Sequence, residues 1–475
     1  MPSTSRPTPG TMTRPGPHAW TPDVRDAGAP LYAAIVDALA HDVGRGALAP
    51  GQRLPTHREL ARALGTSTGT ITRAYIEAER RGLIHGRVGR GTFVRDLTDR
   101  GAYSPRVNPG RIDLGPMAVP AVPGDVGHAM LSAALSRLGA RADLVALSGY
   151  QEHGGTAEQR RAGARWLALC GVPAAEHEVT VCAGAQHATA ILLSALATDA
   201  GVLMEELTHA GALEAVKHLR IPAHPVTMDG DGLIPEALDA AAVRTGATVL
   251  YCTPTNHNPT GIVAPAARRV EIVRVCRARG ITLIENGALS PLAAAAPPPL
   301  AALAPERTCY IGTLSKAALP ALRIGFIRTP PELADRVELG VSATMWSVSP
   351  LLAEIAATWI GDGTAEALRD ARRAEAAARW RIAARVLDGH GVTGGTSYLL
   401  WLPIPVDRSA LEVVEQAAAR DVMIGPAHLF AVRPGSAPNA VRLSLGAPGS
   451  REELEEGLRI IAGILAGDGP RRRSL

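Results

Sequence analysis

Apolar positions along the first hundred residues repeat at helical spacing and then change to alternation. Leu31, Ile35, Val36, Leu39 and Val43 follow Pro30 at intervals that predict a helix. A Gly/Pro-rich break spans 44–55. Thr56-His57-Arg58-Glu59 has the Thr-x-x-Glu form of a capping box and starts a short helix that stops at Gly65. Ser67 or Thr68 can cap the next helix, which carries Ile71, Ala74, Tyr75 and Ala78 on one face and ends at Gly82. Residues 83–94 read as a hairpin with a glycine-bearing tip. Residues 99–112, with Gly, Pro and Asn and no periodicity, read as a linker.

Beyond the linker, short apolar runs alternate with helical ones. Residues 179–183, 202–204, 248–252, 281–284 and 309–312 read as buried strands, and 270–279 as a helix stopped by Gly280. This alternation predicts an α/β domain with a mostly parallel sheet covered by helices. The pattern changes near residue 346. A long Ala/Arg helix over 366–387 precedes strands at 398–401 and 441–445, and a final helix follows a second capping box, Ser450-x-x-Glu453. That change predicts a smaller C-terminal α+β subdomain within 113–467. Residues 293–299 form a low-complexity loop.

Composition narrows the class. A chain of 475 residues, 46% hydrophobic, can hold two or three domains with buried cores. No apolar run approaches the ~20 residues of a membrane span. Residues 1–27, rich in Pro, Thr and Arg, are expected to be a disordered tail and not a signal peptide; 468–475 is a basic tail. The five cysteines are scattered without Cys-x-x-Cys spacing, so neither a metal site nor a disulfide framework is indicated, and a reducing cytoplasm fits. Net charge is +4. Residues 28–98 hold ten Arg and six Asp/Glu, so the whole excess sits there. Helix, helix, turn, helix, hairpin is the order of a winged helix-turn-helix, and a basic one suits double-stranded DNA.

Specific residues strengthen that reading. Leu48-x-Pro50-Gly51-x-Arg53-Leu54-Pro55-Thr56-x-Arg58-Glu59-Leu60-Ala61-x-x-Leu64-Gly65 resembles the GntR-family DNA-binding domain, as do Gly82-Leu83-Ile84 and Gly89-x-Gly91-Thr92-Phe93-Val94. The resemblance implies that Arg53 and Arg58 touch phosphates, that Ser67, Thr68 and Thr70 face bases, and that Gly89 sits at the wing. Thr68 departs from the Arg often found in that family, which changes the operator read or the strength of binding.

Lysine is almost absent: of 49 Lys and Arg, only Lys217 and Lys316 are lysines. Arginine can replace lysine as a surface cation but not as a neutral amine nucleophile. Lys217 lies in an amphipathic run and reads as a surface residue. Lys316 lies in Thr313-Leu314-Ser315-Lys316, followed by Pro320-Ala321-Leu322-Arg323-Ile324-Gly325. This resembles the cofactor-lysine motif of fold-type I pyridoxal phosphate (PLP) enzymes, with Ala321 in place of a Gly. Ala183-Gly184-Ala185-Gln186 follows a strand and starts a helix, whose first N–H groups can cradle phosphate. Asn258-Pro259-Thr260-Gly261 resembles the family's Asn-Pro-Thr-Gly. Together these imply Lys316 as the catalytic and cofactor-bonding amine. Gly184, Ala185, Gln186, Thr313, Ser315 and Arg323 would lie around the phosphate, Asn258 at the phenolic oxygen, and Arg442 on a substrate carboxylate.

The pattern breaks in two places. Where relatives read Glu-Asp-Asp-x-Tyr, this chain has Glu285-Asn286-Gly287-Ala288-Leu289, so Asn286 and Leu289 replace the expected Asp and Tyr. His209 takes the place of an aromatic that stacks on the cofactor ring. Adduct formation at Lys316 would persist, while the electron sink of the protonated ring would be weakened and turnover would be weak or absent. The whole chain is similar to the MocR-type subfamily of GntR regulators, a winged helix-turn-helix fused to a fold-type I aminotransferase-like domain. The resemblance implies a dimeric, PLP-containing transcriptional regulator in which an amino acid or amine effector forms an external aldimine and alters DNA binding. Two alternatives stay open: an aminotransferase with an appended winged helix, and a DNA-binding regulator whose large domain no longer binds PLP.

Overall fold

The switch from helical to alternating spacing builds a first unit that ends at residue 99. Helices α1 (Leu31–Gly44), α2 (His57–Ala63) and α3 (Thr68–Arg80) precede an antiparallel hairpin of β1 (Ile84–Arg87) and β2 (Gly91–Val94). Thr56 caps α2 with a complete capping box, its hydroxyl accepting from Glu59 N while Glu59 accepts from Thr56 N. The predicted apolar faces meet in one core: Ile35, Val36 and Leu39, then Leu60, then Ile71, Ala74 and Tyr75, then Leu83, Ile84 and Val94. Each large aliphatic buried there contributes about 1.5–3 kcal/mol. The Tyr75 hydroxyl donates to Pro55 O at 2.8 Å, tying α3 to the break before α2.

A computed structural model describes residues 20–24, 30–87, 91–95, 110–120, 126–141 and 144–467. Gly89, most of the 99–112 linker, the basic tail and most of the N-terminal tail lie outside the described residues. One part of that tail corrects the expectation of disorder over 1–27. Trp20 is buried in the winged-helix core, and its Nε1 donates to Asp42 Oδ2 at 2.9 Å. A lone indole in a Pro-rich stretch has no periodicity to announce it, yet it has area to bury and a donor to satisfy.

The second unit opens with β3 (Ile112–Asp113), α4 (Val126–Gly139), α5 (Ala157–Leu169), β4 (Val179–Cys182) and α6 (Ala185–Leu196). It continues through β5 (Val202–Glu205), α7 (Ala210–Leu219), β6 (Ala223–Val226), a ribbon of β7 (Met228–Asp229) and β8 (Gly232–Leu233), and α8 (Pro235–Thr245). Next come β9 (Val249–Cys252), α9 (Ala266–Arg279), β10 (Thr282–Asn286), α10 (Leu300–Leu303), β11 (Thr308–Thr313) and β12 (Gly325–Arg328). These strands form a seven-stranded sheet in the order β4-β12-β11-β10-β9-β5-β6. Only β12 runs against the rest. The five expected strands are all present; β6 and β12 were not foreseen.

Both faces of this sheet are covered, which is why the strands read as unbroken apolar runs. Leu203, Leu250 and Leu283 face the α8–α9 side. Met204, Tyr251 and Ile284 face α6 and α7. Tyr251 stands opposite Ile284 in register, so the next residue on that face of β10 is Asn286, at the strand's end.

Helices α11 (Ala334–Met345), α12 (Pro350–Gly361) and the long α13 (Thr364–Val386) lead to the smaller subdomain. There β13 (Thr393–Gly394), β14 (Leu399–Pro403), α14 (Ala410–Ala418), β15 (Val422–Met423), β16 (Gly425–Pro426), β17 (Ala440–Ser444) and α15 (Arg451–Ala466) follow. A four-stranded sheet, β13-β14-β17-β16, backs onto α13 to α15, and β3 pairs in parallel with β15. Thus residue 112, expected to be linker, is already inside the fold. The second capping box is only half as expected: Ser450 accepts from Glu453 N, but the Glu453 carboxylate takes the Gly449 N–H.

Candidate functional site

In the first unit Arg58, Ser67 and Thr68 are exposed near the starts of α2 and α3, and Thr70 is half-exposed. Ser67 caps α3, its Oγ accepting from Thr70 N at 3.1 Å and meeting Thr70 Oγ1 at 2.9 Å. Those two hydroxyls hold the helix start, while Thr68 and Arg58 are exposed. Arg53 is also exposed and lies along the hairpin. A Cβ at Gly91 would stand 2.9 Å from its Nε, so that glycine, at φ 107°, lets the guanidinium pass. Arg73, which the sequence did not single out, stacks over Tyr32 at 4.0 Å.

In the second unit a cavity of about 270 Å³ opens at the carboxyl ends of the parallel strands. Crevices of α/β sheets bind ligands at that edge. The turns after β4, β5, β9, β10 and β11 supply Ala185, Gln186, His209, Asn258, Asn286, Leu289, Thr313, Ser315, Lys316 and Arg323 to its wall. Of the cofactor residues expected from sequence, only Gly184 is not on the wall itself. It caps α6 at φ 82°, and a Cβ there would stand 3.2 Å from Arg323 Nη2. Met117, Thr189, Thr253 and Ala288 also line the cavity and were not foreseen.

Lys316 Nζ donates to Met117 O at 2.7 Å. Burial, and secondarily the Arg323 charge, lower its pKa to about 8. A useful fraction of this amine is therefore neutral near neutral pH. Thr313 Oγ1 bonds Ile324 O at 2.9 Å and accepts from Ser315 N at 3.1 Å, fixing the turn that carries Ser315 and Lys316. Arg323, in the left-handed region at φ 51°, reaches Ala183 O at 3.4 Å beside the α6 N-terminus. A cation and a helix start at one end of a cavity favour a phosphate.

Two asparagine amides present donors. Asn258 Oδ1 accepts from Arg442 Nη1 at 3.1 Å, leaving its NH₂ for the cavity. Asn286 Oδ1 accepts from Ala288 N at 3.0 Å, and its Nδ2 donates to Tyr251 Oη at 2.6 Å. Gln186 donates to Gly211 O at 2.7 Å and helps to hold the turn beside His209. A Cβ at Gly211 would stand 2.6 Å from the His209 ring, so only glycine fits there. Arg442 is not on the wall. It is fully buried behind Asn258, also donates to Gly115 O, and lies 4.7 Å from the Phe430 ring centroid. Burial pulls its pKa down to about 9.

These groups fit pyridoxal phosphate: an amine for the aldehyde, a cationic cup for the phosphate, amide donors for the phenolic oxygen, and an imidazole on the wall. Two parts of the familiar arrangement are missing. Leu289 carries no hydroxyl, and none of the described residues lining the cavity is Asp or Glu.

Comparison with known proteins agrees with both halves. Residues 31–94 match the family described as bacterial regulatory proteins, gntR family. Residues 117–461 match aminotransferase class I and II. The chain is 28% identical to the uncharacterized HTH-type transcriptional regulator YdeF of Bacillus subtilis, over 94% of this chain and 97% of that one. It is 28% identical to the probable rhizopine catabolism regulatory protein MocR of Rhizobium meliloti, over 71% and 73%. Among solved structures it is similar to LysN, the α-aminoadipate aminotransferase of Thermus thermophilus, complexed with N-(5′-phosphopyridoxyl)-L-leucine. The TM-score is 0.67 at 24% identity, over 76% of this chain and 93% of that one. The chain belongs to the class I and II aminotransferase family, in the fused form in which a gntR-type helix-turn-helix domain precedes the aminotransferase fold.

Proposed function

We propose that this protein is a transcriptional regulator that binds double-stranded DNA through its winged helix and binds pyridoxal phosphate in its aminotransferase-like domain. An amino acid or amine effector competes with Lys316 for the cofactor and so alters DNA binding. The observation that carries this is the cavity wall. It joins a lysine of lowered pKa, an arginine at a helix start and two oriented amide donors, with no carboxylate among its described residues. When bound, PLP supplies an aldehyde that condenses reversibly with primary amines. Lys316 would hold it, Arg323, Ser315 and the α6 start its phosphate, and Asn258 its phenolic oxygen. His209 would lie against its ring, and Arg442 would serve a ligand carboxylate from behind Asn258.

The name of YdeF as an HTH-type transcriptional regulator supports the DNA role, and the basic winged helix supplies the charge. No helix among the described residues is long and apolar enough to cross a membrane, and a DNA-binding regulator belongs in the cytoplasm. A homodimer is favoured by exposed apolar side chains on the second unit. Val145 and Tyr150 are 84% and 90% exposed, and the Tyr150 ring lies 6.2 Å from that of the half-exposed Trp346.

The test is the visible spectrum of the purified protein with PLP, beside Lys316→Ala. The expected result is a Lys316-dependent band that shifts when amino acids are added singly, without keto-acid product, together with an effector-dependent change in DNA retention. Steady product would instead make it a transaminase. No band in the wild type would leave a DNA-binding protein without this cofactor.

A further inference from the structure

We infer that Asn286 meets the cofactor's ring nitrogen as a hydrogen-bond donor, so that the pyridine is held without its proton and a captured amine is kept chemically intact. This rests on the cofactor proposed above and concerns what the site then does with its ligand.

The orientation of the Asn286 amide is fixed from both ends. Its Oδ1 accepts the Ala288 N–H at 3.0 Å; turned over, an NH₂ would face that N–H. Its Nδ2 donates to Tyr251 Oη at 2.6 Å. Tyr251 is fully buried, and an amide N–H can only donate, so its hydroxyl oxygen is the acceptor there. What remains for the cavity is the second amide N–H of Asn286, and that donor requires a lone pair.

The surrounding charge acts in the same direction. Lys316 and Arg323 are the cations on the wall, His209 is its other titratable group, and no described lining residue is a carboxylate. Glu285 precedes Asn286 on the opposite face of β10, where its Oε2 accepts from Ala301 N at 2.8 Å. Glu205 at the end of β5 accepts from Thr253 N at 2.9 Å and lies 3.3 Å from His257 Nε2. A pyridinium would add a positive charge that no facing carboxylate offsets. Without that proton the ring draws in less of the electron pair released when a bond to the amine-bearing carbon breaks. Such bonds then stay intact, and the ligand leaves as it came, by the reverse exchange with Lys316. The ligand class is thus a primary amine or amino acid held reversibly.

The experiment is ¹⁵N NMR of the full-length protein loaded with PLP labelled at the ring nitrogen. The expected resonance is at the unprotonated pyridine position in the wild type and at the protonated position in Asn286→Asp. With L-alanine in D₂O, loss of the α-proton signal should be at least about a hundredfold faster in that variant. A protonated-position resonance in the wild type overturns the inference, as does an unchanged position in Asn286→Asp. If the variant does not fold, the wild-type resonance decides alone. Absence of any Lys316-dependent bound resonance would instead sink the PLP reading itself.

Discussion

Raising the pH separates a buried Lys316 from an ordinary lysine. The amine attacks an aldehyde only when neutral, and burial with the nearby Arg323 charge brings its pKa to about 8. The neutral fraction then rises roughly eightfold between about pH 6.5 and about pH 7.5, but only about 1.3-fold between about pH 8.5 and about pH 9.5. A lysine at its usual value near 10.4 would rise about ninefold over that upper interval. At about pH 7.5 the buried amine would be neutral roughly two hundred times more often than the ordinary one. The assay is the second-order rate at which PLP forms its Lys316-dependent absorbance, followed by stopped flow across that range. Because the chain has only two lysines, borohydride trapping and peptide mapping assign the adduct to Lys316 and not Lys217. A rate that keeps climbing tenfold per pH unit beyond about pH 8.5 would refute the account of Lys316 as a desolvated amine.

Four further outcomes follow from named contacts. Arg323→Gln should weaken PLP binding roughly tenfold to a hundredfold, since charged hydrogen bonds are worth about 1.5–3 kcal/mol; a titration of the absorbance band measures it. Glu285 is pushed up to about 7 by burial, so its ionisation costs stability as pH rises from about 4.5 to about 7. Glu285→Gln should therefore stabilise the protein by up to about 3 kcal/mol above that range and not below it, read by denaturant melts at several pH values. Trp20→Ala should cost the winged helix about 3–5 kcal/mol, seen as an earlier unfolding step in calorimetry. Arg53→Ala in the full-length protein should lower the slope of log affinity for DNA against log salt by about 0.9, with little change between DNA sequences.

Much of the architecture was legible because its signals are local. The winged helix announces itself through the Thr56 box, the Ser67 cap and three apolar faces within sixty-odd residues. Lys316, Thr313, Ser315 and Arg323 lie on one turn after one strand, so their spacing alone brings them together. What was missed depends on partners far along the chain. Met117 stands at Lys316 from 199 residues away. Strand β12 is short and ends in Arg328, a residue that reads as a loop until its guanidinium meets Glu178 at 2.7 Å. Arg442 lies in a strand the apolar run announced, but nothing local says that its guanidinium is occupied by Asn258 and the Gly115 carbonyl.

The unusual stretch at the end of β10 shows why a departure from pattern is best read in three dimensions. In sequence, Asn286-Gly287 looks like the loss of two acidic residues. In the fold, a Cβ at Gly287 would stand 2.0 Å from the Tyr310 hydroxyl, so no larger residue fits beside that ring. A carboxylate at 286 would be buried with no cationic side chain among its bonded neighbours, which are Tyr251 and the Ala288 N–H. The asparagine amide satisfies both without charge. An unpaired buried carboxylate costs several kcal/mol, whereas an amide with both ends bonded costs little. The strand end is therefore self-consistent as a neutral one. The chemistry it permits follows from the same fact: donors and cations remain to bind an anionic aldehyde, and no acid remains on the described wall to hold a proton on its ring.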